Sequence, residues 1–207
     1  MRRKPNLAAR MQRCEHLLIK VPEMLRGRWL EEYNFREMRL EPGCGKGKFT
    51  VETAGAEPDV LFVALEKSAD AIITALERAI ADGLKNTLFI NALADNLTEY
   101  FAPGEVSRIY INFCDPWPAN RHARRRLTCG RFLELYRQVL RPDGEIRFKT
   151  DNLPLFEFSL TEFAKNGFEL VEETRDLHKG EPVGVMTDYE SKFHSLGLPI
   201  YQCVVRL

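Results

Sequence analysis

The segment Arg108–Thr128, RIYINFCDPWPANRHARRRLT, decides how this chain is read. Ile109, Tyr110, Ile111 and Phe113 make an apolar run of the kind expected in a buried strand, and the run stops at Asp115. Two prolines and a tryptophan follow at once. Proline has no amide hydrogen to give a sheet ladder and biases the preceding residue toward extended geometry. Asp115-Pro116-Trp117-Pro118 is therefore expected to be a rigid, irregular segment leaving a strand end. Arg121, His122, Arg124, Arg125 and Arg126 come next, so an acid, an aromatic face and an anion-binding run lie close together. The same run also fits a helix start with a solvated basic face, and only the rest of the chain decides between the two.

Working outward, strand and helix patterns alternate. On the N-terminal side, Met38 and Leu40 lead into Glu41-Pro42-Gly43-Cys44-Gly45-Lys46-Gly47, which reads as strand, glycine loop and helix start. Residues 59–66, DVLFVALE, form a continuous apolar run ending in an acid, the pattern of a parallel strand covered on both faces. Ser68 to Ala81 has helical periodicity, and Asn86–Asn91 is a third short strand. On the C-terminal side a helix is expected over Arg124–Leu140, a turn at 141–144 and a strand at Glu145–Thr150. A helix over Leu155–Asn166 and two final strands, Phe168–Glu173 and Pro199–Val205, complete the pattern. This alternation predicts an α/β fold with a mostly parallel, seven-stranded sheet flanked by helices. Residues 1–35 read as a basic N-terminal arm with a short helix near Glu23–Leu30, and 36–207 as a single domain. Arg2, Arg3, Lys4, Arg10 and Arg13 of the arm would reach phosphates, although a mobile terminus accounts for them equally well.

Composition narrows the partners. The 207 residues carry 30 Lys and Arg against 30 Asp and Glu, so global charge does not call for a polyanion. Local charge does: Arg121 to Arg141 holds seven arginines and one acid, Glu134. The five cysteines are scattered with no CxxC pair, which argues against a disulfide framework and against a zinc site; no metal is expected. No apolar stretch is long enough for a membrane span and no apolar region follows the basic N-terminus, so a cytoplasmic protein is expected, as a monomer or homodimer.

Ligands of doubly wound sheets sit at the carboxyl ends of the strands, and Glu41, Glu66, Asp115 and Asp151 all fall there. The glycine loop with Gly43 and Gly45 lets backbone approach a ligand. Position 48 is lysine rather than the third glycine of a dinucleotide fingerprint, and no GKS or GKT follows. Glu66 lies at the roughly 20-residue spacing from which a carboxylate holds a ribose diol. A nucleoside without phosphate satisfies all of this, and S-adenosylmethionine is the candidate cofactor, its ribose at Glu66 and its amino-acid end near Glu41. Methyl transfer is an in-line displacement that rests on proximity. A purine N7 acceptor already carries its lone pair, so Asp115 would grip and orient the base instead of deprotonating it. Trp117 fits either a base-stacking surface or a core tryptophan. Thr187 and Glu190 have the spacing of a capping box, so spacing alone makes Thr187-Asp188-Tyr189-Glu190 a helix cap.

LEPGCGKGKF, the acid Glu66, INFCDPWPANRHARRRLT, FKTDN and TDYESKF with GLPIY together resemble the bacterial tRNA (guanine-N(7)-)-methyltransferases, from about Met38 to Tyr201. The resemblance implies a class I (Rossmann-like) S-adenosylmethionine-dependent methyltransferase acting on N7 of a guanine in the tRNA variable loop. By position it implies that Glu41, Glu66, Leu93 and Asp115 contact the cofactor. Asp151 and Thr187, Asp188, Tyr189 and Glu190 match substrate positions, and Arg121–Arg126 match the RNA-contacting run. Leu93 replaces the family's acid or amide, leaving backbone contact there, and Ala119, with Asn120, stands where the family carries lysines after DPWP. Pro42 replaces an aliphatic residue. Two other readings are a methyltransferase for a different substrate and an RNA-binding relative without catalysis. Carboxylates at several strand ends speak against the latter, since phosphate binding does not need them.

Overall fold

The computed structural model describes residues 6–207. Seven strands form one sheet: β1 (Met38–Pro42), β2 (Leu61–Leu65), β3 (Thr87–Ile90), β4 (Val106–Asn112), β5 (Leu140–Thr150), β6 (Glu169–Thr174) and β7 (Tyr201–Arg206). Their order is β3-β2-β1-β4-β5-β7-β6. Neighbours from β3 to β5 are parallel, and β7 runs antiparallel to both β5 and β6. The expected mostly parallel sheet is thus present, with β1 beside β4 and β4 beside β5.

Burial explains why the apolar runs became strands. Every residue of β1, β2 and β3 is buried, which a sheet covered on both faces requires. Helices α1 (Leu7–Arg13), α2 (Trp29–Tyr33), α3 (Lys48–Ala56), α4 (Ala69–Ala81), α5 (Leu97–Tyr100), α6 (Gly130–Val139), α7 (Leu153–Lys165) and α8 (Asp188–Ser195) flank or cap it. Ile72, Ile73, Ala75, Leu76 and Ala79 of α4 pack with Ala64 and Phe89 as a core on one face. Leu133 and Tyr136 of α6 and Phe156 and Phe163 of α7 belong to the larger core on the other.

The described part of the first 35 residues lies against this sheet. Trp29 is fully buried and donates its indole N–H to the Tyr100 carbonyl at 2.9 Å. Leu18 bridges to Phe89, and Arg10 on α1 holds Glu77 on α4 in a two-pronged ion pair. The helix expected near Glu23–Leu30 is a 3-10 turn, Pro22–Leu25, followed by α2. Arg2, Arg3 and Lys4 lie outside the described residues.

Two other expectations change. The helix expected over Arg124–Leu140 begins only at Gly130, and the basic run occupies a 3-10 turn, Asn120–Arg125. Arg126 is extended between them, because its side chain turns inward to two backbone carbonyls. The expected turn at 141–144 is absorbed into β5 as an irregularity opposite Val106–Arg108. Gly144 makes that possible: a Cβ there would sit 2.9 Å from the Arg141 carbonyl and 3.1 Å from that of Ser107. Among the described residues no helix is long and apolar enough to cross a membrane.

Candidate active site

At the carboxyl ends of β1, β2, β4 and β5 the surface opens into two adjoining cavities of about 740 and 390 Å³. The sheet reverses its strand order between β1 and β4, which is where an open α/β sheet leaves a crevice. Gly43, Gly45, Phe113 and Tyr189 border both cavities.

The glycine loop joins β1 to α3. Gly43 and Cys44 donate their amides to the Leu65 carbonyl at 2.7 and 3.0 Å, so the loop is tied to the end of β2. Gly47 has φ 73°, and a Cβ on it would lie 2.3 Å from Cβ of Ala75; only glycine lets α3 start so close to α4. At Gly45 a Cβ would meet nothing within 4 Å, so the loop's face there is open space.

Glu66 braces that loop. One carboxylate oxygen accepts the Gly45 amide at 3.1 Å and the other accepts the Ser68 amide at 2.7 Å. A carboxylate has about four acceptor positions, so two remain for a ligand. Glu41, at the end of β1, is buried and accepts hydrogen bonds from the Thr50 hydroxyl and, at 2.9 Å, from the Asn112 amide. Burial pushes its carboxyl above the ordinary carboxylate range, a rise opposed by those two bonds and by nearby Lys149. Asn112 was not singled out from sequence, although an amide ending an apolar strand was a signal. Its buried Oδ1 has no hydrogen-bond partner among the described residues, and the residue lines the smaller cavity beside Glu41.

Asp115 is exposed and lines the larger cavity with Glu66, Leu93 and Asp151. The backbone around it is unusual: Phe113 has φ 49° and Trp117 φ 42°. Bulky side chains rarely enter this left-handed region, and each such residue costs roughly 1–3 kcal/mol, so the surrounding contacts must hold the loop in shape. The neighbouring Cys114 thiol is pushed up to about 12 by burial, which keeps it protonated and a poor nucleophile.

The other expected residues divide by position. Leu93 is 55% exposed on the cavity wall, while Asp95 close by is held by Arg131 at 2.6 Å. Arg125 also lines the cavity, its guanidinium 4.9 Å from the Trp117 ring centre, and His122 meets the same ring edge-on at 5.8 Å. Ala119, Arg121 and Arg124 are exposed on the adjoining surface outside both cavities. Arg126 is buried. Thr187, Asp188 and Tyr189, at the start of α8, line the smaller cavity, and Tyr189 is 66% exposed.

Glu190 is fully buried. It forms the capping box with Thr187, whose hydroxyl accepts the Glu190 amide at 2.9 Å while Glu190 accepts the Thr187 amide at 3.1 Å. The spacing reading is borne out in this respect. Glu190 also binds Lys149 and His178, a pair that sequence reasoning did not connect to it because both are remote in the chain.

The described residues contain no group of three or more His, Cys, Asp or Glu able to hold a metal ion. A family model described as "Putative methyltransferase" matches residues 36–203. The tRNA (guanine-N(7)-)-methyltransferase of Geobacillus thermodenitrificans is 44% identical over 205 residues, covering 98% of this chain and 95% of the relative. The chain belongs to that family. The enzyme of the same description from Brevibacillus brevis is 45% identical, with 89% of this chain and 90% of the relative covered. Among solved structures, the 16S rRNA methyltransferase KamB superposes with a TM-score of 0.65 at 17% identity, over 86% of this chain and 92% of its own. TrmN from Thermus thermophilus gives 0.59 at 22% identity, covering 89% of this chain and 48% of its own. At those identities the likeness speaks for the class I methyltransferase fold alone. Members of this family and fold are methyltransferases that generally use S-adenosylmethionine.

Proposed function

We propose that this chain transfers the methyl group of S-adenosylmethionine to N7 of a guanine in tRNA, the activity for which its relatives are named. The observation that carries this reading is one cavity lined by Glu66, Asp115 and Asp151 from the ends of three strands, with Arg125 and Trp117 at its edge.

The residues fit the cofactor. It carries an ammonium group, a sulfonium and a ribose diol, and the cavity walls offer acceptors: the carboxylates of Glu41 and Glu66 and the partnerless Oδ1 of Asn112. No GKS or GKT follows the glycine loop, and Lys48 is held by Glu52 and the Met186 carbonyl at 3.0 and 2.6 Å. Leu93 supplies an apolar wall and its backbone, and Gly45 leaves the loop face open. When bound, S-adenosylmethionine supplies an electrophilic methyl group. That group would pass to a lone pair that N7 already carries, the displaced electron pair remaining on sulfur, so no residue of the chain has to take a proton.

What the chain contributes is orientation and charge. Asp115 accepts from the N–H groups of the guanine and offsets the positive charge that grows on the ring. Asp151, at the end of β5, faces the same cavity and holds the other side of the substrate. Thr187, Asp188 and Tyr189 approach from α8, with Glu190 anchoring them from beneath. Arg121, Arg124 and Arg125 present an exposed basic face to the RNA backbone, beside Ala119 and the half-buried His122. The reading puts the protein in the cytoplasm with tRNA, as a monomer or homodimer.

The test is incubation of purified protein with unmodified whole tRNA and labelled S-adenosylmethionine, followed by nucleoside analysis. Labelled 7-methylguanosine is the expected product. Binding of tRNA without it would overturn the enzyme reading, and a different labelled nucleoside would move the activity to another acceptor.

A further inference from the structure

Arg126 ends the basic run but does not share its surroundings. Arg121, Arg124 and Arg125 are exposed, whereas Arg126 is 8% exposed. Its Nε donates to the Pro116 carbonyl at 3.0 Å and its Nη2 to the Trp117 carbonyl at 3.0 Å. The guanidinium plane is backed by the Phe158 ring of α7, 4.2 Å from its centre. Both hydrogen bonds land on Asp115-Pro116-Trp117-Pro118, the segment whose prolines have no amide hydrogens and in which Trp117 takes φ 42°. A left-handed tryptophan persists only if neighbouring contacts over-determine it. The planar fork of arginine meets two consecutive carbonyls at once, and lysine, a single point charge, cannot do so.

We propose that Arg126 is a positioning residue that holds Asp115 in its working orientation by clamping the Pro116 and Trp117 carbonyls, and that it is not a ligand for RNA phosphate. The proposal rests on the methyltransferase reading for its kinetic arm only. Two of its five N–H donors are engaged by these carbonyls, Phe158 covers one face and only 8% of the residue is exposed, so the basic run divides into an outer set that meets RNA and an inner residue that shapes the loop.

The experiment compares Arg126→Lys, Phe158→Leu and Arg124→Gln with the parent protein. Methylation of whole tRNA, tRNA affinity across a salt series and acrylamide quenching of tryptophan fluorescence are measured on each. Trp29 is fully buried, so the quenchable fraction reports Trp117. Arg126→Lys is expected to lower kcat on the order of 10- to 100-fold, since small misplacements of a reacting group have effects of that size. Its KM for tRNA and its salt slope should stay at parental values, and quenching should rise. Phe158→Leu, which removes no charge, should move the same way with a smaller loss, and it stands in if Arg126→Lys does not fold. Arg124→Gln should reduce the salt slope and leave quenching unchanged. Weakened tRNA binding with a reduced slope in Arg126→Lys, kcat and quenching being parental, would overturn the proposal. Should the parent make no 7-methylguanosine, the proposed activity falls, while the quenching and salt arms still report on Arg126.

Discussion

Lys149 and Glu190, 41 positions apart, form a buried ion pair that ties β5 to the first turn of α8, with Nζ 3.0 Å from Oε1. His178 adds a third contact, its Nε2 lying 2.8 Å from the same oxygen. Because Nδ1 of that ring accepts the Val183 amide at 3.1 Å, the neutral ring carries its proton on Nε2 and donates it to Glu190. Removing one partner of such a pair leaves an uncompensated buried charge, which costs about 3–5 kcal/mol. Lys149→Met is therefore expected to lower the urea midpoint by a corresponding amount and to open residues 176–187 to limited proteolysis. An unchanged midpoint and digestion pattern would mean that water already reaches the pair.

Asp115 should behave differently, because it is exposed and has no side-chain partner among the described residues to strand. Asp115→Asn is expected to keep the fold and most of the tRNA affinity but to lose methylation by about 100-fold or more, the scale seen when one charge-stabilising group is removed. Filter retention of tRNA beside single-turnover methylation checks this. Methylation at the parental rate would take the guanine contact away from Asp115.

Removing the outer arginines tests the RNA face. Each phosphate contact contributes roughly 0.7–0.9 to the slope of log affinity against log salt. The double change Arg124→Gln with Arg125→Gln is expected to reduce that slope by about 1.4 to 1.8 and to weaken all tRNAs alike. A parental slope would return the run to solvated surface.

The strands and the acids at their ends were legible because both follow from local pattern. A five-residue run such as LFVAL is too short for a buried helix and suits a strand covered on both faces, and an acid after it marks the sheet edge. The capping box of Thr187 and Glu190 was legible for the same reason, being set by a three-residue spacing. What escaped depends on contacts made across the chain. The burial of Glu190 follows from Lys149 and His178, which local spacing cannot connect to it. The inward turn of Arg126 follows from carbonyls nine and ten residues away, and with it the helix expected from Arg124 begins only at Gly130. The left-handed Phe113 and Trp117 could not be read at all, since neither residue type favours that conformation.

Glu41 yields a prediction in pH. Its ordinary carboxyl value is 4.5, and burial raises it in the folded protein. Below 4.5 the carboxyl is protonated in both states and contributes no difference. As pH rises past that point the unfolded chain ionises first, so folding stability falls through the interval up to the raised value and then levels off. The partnered carboxylates Glu37 and Glu145 act in the opposite sense and in another interval. Their values are lowered, although burial, the largest single influence on each, acts the other way. The hydrogen bonds of Arg39 and Ser107 to Glu37, and of Arg147 to Glu145, together with nearby arginine charge, outweigh it. The stability they add is present above 4.5 and is lost as pH falls through those lowered values. Glu41→Gln does not titrate, and its amide still pairs with the Asn112 amide and the Thr50 hydroxyl, which is able to accept as well as donate. The variant is thus expected to gain on the parent in urea midpoint as pH rises above 4.5, the gain levelling off once Glu41 ionises in the fold, and to bind S-adenosylmethionine less tightly where the parent carboxyl is charged. Parallel midpoint curves for the two proteins would show that Glu41 ionises in the fold without cost.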